Sequence, residues 1–223
     1  MRKVFLGVSV VGLSMVGSSA FAFSVYSTGA GNSNPGGTAD LNWFVSGPVS
    51  ANPAVMLNHT ASDFPYNAYA ANDAASQWIS FAADGGNSLP STTTTGIYRY
   101  TTSVNFSGST GTLTGHMWSD NSLRNILVDN VSYFLSPLTS AGFADDSAGW
   151  FQTGADFKLT GLSGTHTISF DIQNGFSTYH GDHDPTAFRA QMQLEAVPEP
   201  ITMSLGIASA ALFVRRRMKA KSA

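Results

Sequence analysis

Aromatic or β-branched residues occupy every second position of the segment Ile97-Tyr98-Arg99-Tyr100-Thr101-Thr102-Ser103-Val104-Asn105-Phe106. Successive side chains of a β-strand point to opposite faces of the sheet. The side chains at even positions, from Tyr98 to Phe106, therefore share one face, and those at odd positions share the other. This alternation predicts a half-buried β-strand, because the apolar side chains of an amphipathic helix recur every 3.6 residues.

Two later segments, Thr165–Ile172 and Ala187–Ala196, alternate in the same way. In the second of them, Phe188 and every second residue after it are apolar. The intervening positions, which begin with Arg189, are polar, so we expect them to face solvent. Alternation of this kind is typical of an antiparallel sheet that packs one face on the core and leaves the other in water.

Shorter strand candidates fill the rest of the middle region and are separated by turns rich in Gly, Asn, Ser and Thr. They are Leu41–Ser46, Ala54–Leu57, Gln77–Ala82, Thr112–Trp118, Asn125–Val128, Val131–Leu135 and Asp156–Thr160. About nine short strands joined by such turns predict an all-β protein, an antiparallel β-sandwich of the jelly-roll kind. The residues assigned to its core or to the edge of that core are Trp43, Trp78, Tyr98, Tyr100 and Phe170.

Length and charge restrict the class of protein. The chain has 223 residues and no cysteine, which predicts one folded domain, residues 23–196, whose core needs no disulfide. Seven of the 11 basic residues lie in 1–22 and 215–221, whereas 13 of the 14 acidic residues lie in 24–196. The middle therefore carries a net charge of about −9. A nucleic-acid binder needs a basic patch that neutralises phosphates, so the charge distribution excludes that class.

The first 22 residues have the three parts of a secretory signal peptide. Arg2 and Lys3 form a charged start, an apolar run extends from Val4 to about Gly17, and Ala20-Phe21-Ala22 matches the A-x-A cleavage pattern. We expect cleavage before Phe23 and export of the rest of the chain. An uncleaved anchor is the alternative, although the apolar run is shorter than the roughly 20 residues that span a bilayer.

Residues 197–223 contain a second ordered pattern. Val197-Pro198-Glu199-Pro200 leads into the apolar run Ile201–Val214, which is followed by Arg215, Arg216 and Arg217. The two prolines fix an extended, accessible backbone, and the arginines are expected to stay in the cytoplasm. As a helix the apolar run would be about 21 Å long, against a hydrocarbon core of about 30 Å. This pattern predicts a short transmembrane helix that serves as a transient anchor.

These three C-terminal parts resemble the PEP-CTERM sorting signal of bacteria with an outer membrane. The resemblance covers Val197 to about Lys219. It implies that an exosortase, a membrane-embedded transpeptidase-like enzyme, processes the chain near Pro198-Glu199-Pro200. It also implies an association with exopolysaccharide and biofilm matrix, and contact with the membrane before processing. An ordinary single-pass C-terminal anchor is the alternative.

A second set of motifs covers most of residues 40–194. The motifs are Asp40-Leu41-Asn42-Trp43, Ser76-Gln77-Trp78-Ile79, Gly96-Ile97-Tyr98-Arg99-Tyr100, Asp120-Asn121 and the segment from Gly164 to Asn174. Their order resembles the galactose-binding-like jelly-roll modules often found ahead of this sorting signal, which implies the same sandwich fold. The loop Ser177–Asp184 looks enlarged relative to that family, and no family role carries over to it.

This loop holds the densest group of possible metal ligands, which are His180, Asp182, His183 and Asp184. Imidazole nitrogens and carboxylates bind divalent ions, but no further ligands on a helix or a second strand are evident. Asp and Gly also favour such loops because of their turn geometry. We therefore predict no metal and no other cofactor, with a metal at this loop, Ca²⁺ through Asp182 and Asp184 included, as the alternative.

The sequence contains no familiar catalytic motif. It has neither the Gly-x-Ser-x-Gly nor the His-Glu-x-x-His pattern, and it has no cysteine nucleophile. A glycosidase would need two carboxylates that face each other across a cleft, and the sequence does not identify such a pair. We expect that the protein is not an enzyme, with a secreted glycan hydrolase as the alternative.

Carbohydrate binding needs an exposed aromatic ring beside hydrogen-bonding side chains. The candidates are Trp118, Asp120, Asn121, Trp150 and Tyr179. For each aromatic residue core packing is the alternative, since aromatic rings dominate sandwich cores. Together these features predict an exported surface or matrix protein that adheres to polysaccharide. A structural module that binds protein partners through an exposed apolar patch, without sugar affinity, is the alternative.

Overall fold

The computed structural model describes residues 23–31, 36–49, 53–58, 68–133, 151–175 and 184–196. Within these residues the chain forms β1 (Phe44–Ser46), β2 (Val55–Met56), β3 (Ile79–Ser80), α1 (Ser91–Thr94), β4 (Gly96–Asp120), β5 (Ser122–Val128), β6 (Val131–Ser132), β7 (Ala155–Asn174) and β8 (Ala187–Ala196). The prediction of an all-β protein with antiparallel strands is confirmed. In the described part of the chain, no helix has the length and apolar character needed to cross a membrane.

The strands form one antiparallel sheet in the order β2-β3-β8-β4-β7-β5-β6, and β1 also pairs with β4. β7 follows β4 along nearly its whole length, from Gly96 opposite Asn174 to Met117 opposite Ala155. On its other edge β4 pairs first with β1, at 99–101, and then with β8, at 111–120. The two halves of β4 therefore belong to different halves of the sheet.

The two longest strands, β4 and β7, bend between their halves and curl the sheet on itself. Phe157 and Phe170 both lie on β7, yet their ring centroids are 5.3 Å apart, whereas a straight strand would separate them by about 43 Å. The pairing of β4 with β7 shifts register between Asn105 and Thr110, and an irregularity of this kind bends a strand and increases its twist. Gly161 lies in the bent part of β7 with φ at +75°.

The prediction of a separate strand on each side of these two bends is wrong. Ile97–Phe106 and Thr112–Trp118 belong to one strand, β4, as Asp156–Thr160 and Thr165–Ile172 belong to β7. The intervening glycines and serines do signal a change of backbone direction. Because the ladder continues past the bends, they turn each strand without ending it.

The main core lies between the two halves of the curled sheet. The ring of Phe188 on β8 lies 4.8 Å from that of Phe170 and 5.1 Å from that of Tyr100. The five residues that the sequence assigned to the core, Trp43, Trp78, Tyr98, Tyr100 and Phe170, are each 0% exposed. The predicted core assignment is therefore confirmed.

A smaller apolar cluster covers the opposite face of β8. It consists of Leu57, Tyr69, Trp78 and Ala187, with Trp118 and Phe151 packed against it. Arg189, which the sequence analysis placed in solvent, points to this face and is only 2% exposed. That expectation is wrong because the chain around Tyr69 and Trp78 folds over β8, and alternation along a strand does not show what covers its outer face.

Candidate functional site

Trp118, the described aromatic member of the predicted carbohydrate site, is half-buried near the end of β4. It lies directly opposite Arg189 in the ladder between β4 and β8. The guanidinium carbon of Arg189 is 4.2 Å from the centroid of the indole, a cation–π distance. The ring of His116 meets the indole edge-on at 4.3 Å. Two neighbouring side chains therefore occupy part of the ring surface that a sugar would use.

All three guanidinium nitrogens of Arg189 donate hydrogen bonds. Nε donates to the hydroxyl of Ser76 over 2.8 Å, Nη2 donates to a carboxylate oxygen of Asp73 over 2.7 Å, and Nη1 donates to the carbonyl of Ala71. The planar fork of arginine suits such a set of acceptors, which a lysine amine cannot match. Arg189 thus fastens the segment 71–76 to the outer face of β8.

Asp120 and Asn121, the polar members of the predicted site, turn towards the interior. Asp120 is 9% exposed and accepts a hydrogen bond from the hydroxyl of Tyr69. The side-chain amide of Asn121 donates to the other carboxylate oxygen of Asp120 over 3.0 Å, and the hydroxyl of Thr186 donates to the backbone carbonyl of Asp120 over 2.7 Å. These two residues therefore contact buried protein groups.

Asp184 is the only member of the predicted loop cluster that falls within the described residues, and it is also buried, with 5% exposure. Its backbone carbonyl accepts a hydrogen bond from the side-chain amide of Asn174 over 2.9 Å and one from the hydroxyl of Thr94 over 3.2 Å. Asn174 is the last residue of β7, and Asp184 precedes β8. The hydrogen bond from Asn174 therefore links the end of β7 to the segment that leads into β8.

Three buried tyrosines complete this polar end of the core. Burial raises the pKa of Tyr69 well above its ordinary value, and the nearby carboxylate of Asp120 raises it further. Burial also raises the pKa of Tyr98 to about 12 and that of Tyr100 still higher. All three phenols therefore keep their protons at physiological pH. We call this set the polar cluster: Tyr69, Tyr98, Tyr100, Asp120, Asn121, Asn174 and Asp184.

The structure brings together only part of what the sequence predicted. Trp118, Asp120 and Asn121 lie close along the chain, but Asp120 turns inward while Trp118 packs against Arg189. The other predicted residues lie outside the described part of the chain: Trp150, Tyr179, His180, Asp182, His183, Val197, Pro198, Glu199, Pro200, Arg215, Arg216 and Arg217. Among the residues that are described, no three His, Cys, Asp or Glu side chains form a group able to hold a metal ion.

An exposed aromatic residue that was not predicted from the sequence lies on the outer side of the sheet. Phe44 on β1 is 48% exposed and lies opposite Thr101 on β4, beside an Arg99–Asp171 ion pair. In that pair the guanidinium Nε and Nη2 lie 2.6 and 2.8 Å from the two carboxylate oxygens. Because Trp43 is buried in the core, strand alternation predicts that Phe44 points outward, and this signal was present in the sequence. We call Phe44, Arg99, Thr101 and Asp171 the outer face.

Comparison with known proteins gives little further information. The sequence matches no protein-family model and no curated protein. Among solved structures, the chain is similar to the crystal structure of β-glucosidase from Kluyveromyces marxianus in complex with glucose. The match covers 78% of this chain and 19% of that one, with 10% sequence identity and a TM-score of 0.33. This chain thus spans about a fifth of that protein, and a likeness of this size supports no conclusion about function.

Proposed function

We propose that this protein is exported, processed near Pro198-Glu199-Pro200 by an exosortase, and held at the cell surface or in an exopolysaccharide matrix. The ordered C-terminal pattern, in which these prolines precede an apolar run and then Arg215, Arg216 and Arg217, carries the proposal. The signal-peptide pattern of residues 1–22 supports the same orientation, because both patterns leave the middle of the chain outside the membrane.

We further propose that the sheet is a non-catalytic jelly-roll sandwich that adheres to polysaccharide. The outer face supports this role, since the exposed ring of Phe44 can stack on the apolar side of a sugar. Arg99, 37% exposed at its side chain, presents a guanidinium group whose orientation is fixed by Asp171. Because the middle of the chain carries a net charge of about −9, a neutral polysaccharide is favoured over an acidic one.

Processing is tested by the intact mass of the protein from cells and from medium, beside a Pro198→Ala/Pro200→Ala variant. We expect a wild-type mass that begins at Phe23 and ends near Pro198-Glu199-Pro200, since the extended prolines expose this backbone to the processing enzyme. The variant should remain in the membrane with its C-terminal segment. If both proteins keep residues 201–223, the segment is an ordinary anchor and the sorting proposal fails.

Adhesion is tested by the retention of the full chain on exopolysaccharide purified from the producing cells. Phe44→Ala is expected to weaken retention about twofold to tenfold, since an aromatic stacking contact contributes about 0.5–1.5 kcal/mol. Tyr26→Ala is the control. Tyr26 is similarly exposed, at 42%, but it does not belong to the outer face, because its neighbours Ser27 and Thr28 contact β8. Trp118→Ala tests the site predicted from the sequence.

Three results would contradict adhesion through the outer face. Equal losses in Phe44→Ala and Tyr26→Ala would show that no particular aromatic residue binds. A loss confined to Trp118→Ala would place the site at the end of β4 instead. Self-association of the wild-type chain without retention would favour a structural module.

A further inference from the structure

The ends of four strands meet at the polar cluster. Asp120 ends β4, Asn174 ends β7, and Asp184 lies just before β8. Asn121 precedes Ser122, which pairs with Gln173, so Asn121 lies opposite Asn174 at the start of β5. The register therefore brings two carboxylates and two amide side chains to one end of the core.

Among the described residues, two buried amide oxygens of this cluster have no hydrogen-bond donor. They are Oδ1 of Asn121 and Oδ1 of Asn174. Rotation of the amides does not remove the deficit. The Asn174 amide nitrogen donates to the carbonyls of Thr94 and Asp184, over 3.1 and 2.9 Å, and that of Asn121 donates to a carboxylate. If the amide nitrogen and oxygen of either residue were exchanged, the amide oxygen would face another oxygen acceptor instead of a donor.

The tyrosines do not fill this deficit. The hydroxyl of Tyr69 donates to Asp120, and neither Tyr98 nor Tyr100 donates to the amide oxygens of Asn121 and Asn174. A buried acceptor without a donor costs roughly 1–3 kcal/mol, so such groups in a folded protein call for a ligand or ordered water. The two amides contact Asp120 and the backbone of Asp184, and the carboxylates of these same two residues both act on the buried hydroxyl of Tyr69. Because this end of the core holds two negative charges, a positively charged ligand fits the site best.

We propose that the polar cluster binds a calcium ion through side-chain oxygens of Asp120, Asn121, Asn174 and Asp184. Ca²⁺ takes six to eight oxygen ligands from carboxylates, amides and carbonyls, and each carboxylate retains lone pairs beyond the hydrogen bonds that it accepts. Zn²⁺ is disfavoured because no imidazole of the described residues belongs to the cluster and the chain has no cysteine. Mg²⁺ is disfavoured because it keeps several waters, which a buried site admits poorly. This site differs from the predicted loop site because it excludes His180, Asp182 and His183.

Terbium luminescence on the full chain tests this proposal, since Tb³⁺ replaces Ca²⁺ and is excited by nearby tyrosines. Excitation of tyrosine is expected to give Tb³⁺ emission that Ca²⁺ suppresses and equimolar Mg²⁺ does not. Ca²⁺ at about 100 times its Kd should raise the melting temperature by roughly 5–10 °C. If the wild-type chain gives no Tb³⁺ emission that Ca²⁺ suppresses, the proposal is wrong, and ordered water is then the partner of these oxygens.

Four variants locate the ion. Asp184→Asn and Asn121→Ala should each weaken Ca²⁺ competition at least tenfold, and Asn121→Ala provides a second test if Asp184→Asn fails to fold. Asp156→Asn is the control, because the Asp156 side chain is 90% exposed and pairs with His116 outside the cluster. Equal weakening in Asp156→Asn, or weakening in Asp182→Asn without weakening in Asp184→Asn, would contradict binding at the polar cluster.

Discussion

Replacement of Arg189 by alanine is expected to lower the free energy of unfolding by about 3–5 kcal/mol. The side chain is 2% exposed, and its guanidinium donates to Ser76, Ala71 and Asp73. Alanine would leave the Ser76 hydroxyl and the Ala71 carbonyl without this donor, remove the cation that packs on Trp118, and open a cavity above β8. Urea unfolding of the full chain, followed by tryptophan fluorescence, measures the loss.

Arg99→Ala is the matched control for this prediction. Arg99 also pairs with an aspartate, through two hydrogen bonds to Asp171, but its side chain is 37% exposed. Exposed ion pairs contribute about 0.2–1 kcal/mol, but the Asp171 side chain is only 10% exposed and would lose its cation. The control should therefore lose about 1–2 kcal/mol, which is still less than the loss expected for Arg189→Ala. If both variants lose the same amount, the burial of Arg189 has no energetic consequence, and its role in holding segment 71–76 is contradicted.

Strand alternation predicted which side chains share a face, and it predicted the core correctly where both halves of the sheet contribute to it. Tyr100 and Phe170 were assigned to the core from their positions and are fully buried. The same alternation placed Arg189 on the correct face but in the wrong environment. The chain that covers Arg189 includes Tyr69 and Trp78, which lie more than 100 residues earlier, and a local pattern carries no information on such contacts.

The polar cluster could not be predicted for the same reason. Asp120 and Asn121 are adjacent in the sequence and were predicted as a pair of binding residues. Their acceptor neighbours, Asn174 and Asp184, are brought to them by the register of β5 with β7 and by the approach of β8. Register depends on which strands pair, and pairing depends on the bends in β4 and β7, which the sequence marks only as turns.

Replacement of Trp43 by alanine is the second large effect, with an expected loss of about 3–5 kcal/mol. Trp43 is 0% exposed, and its ring lies 5.5 Å from that of Phe188 and 6.1 Å from that of Phe170. Its indole nitrogen donates to the carbonyl of Tyr26 over 3.0 Å. Alanine would leave a large cavity between the halves of the sheet and an unpaired carbonyl. Circular dichroism during urea unfolding of the full chain measures the loss without relying on tryptophan fluorescence.

Phe44, the residue after Trp43, provides the control and separates an effect on stability from an effect on polysaccharide retention. Phe44 has a side chain of similar apolar character but points outward, with 48% exposure, so Phe44→Ala should change the unfolding free energy by less than about 1 kcal/mol. Trp43→Ala should weaken polysaccharide retention only as far as it unfolds the chain, whereas Phe44→Ala should weaken retention in a chain that remains folded. If Phe44→Ala proves as destabilising as Trp43→Ala, the phenyl ring supports the fold, and the outer face loses its role as a binding surface.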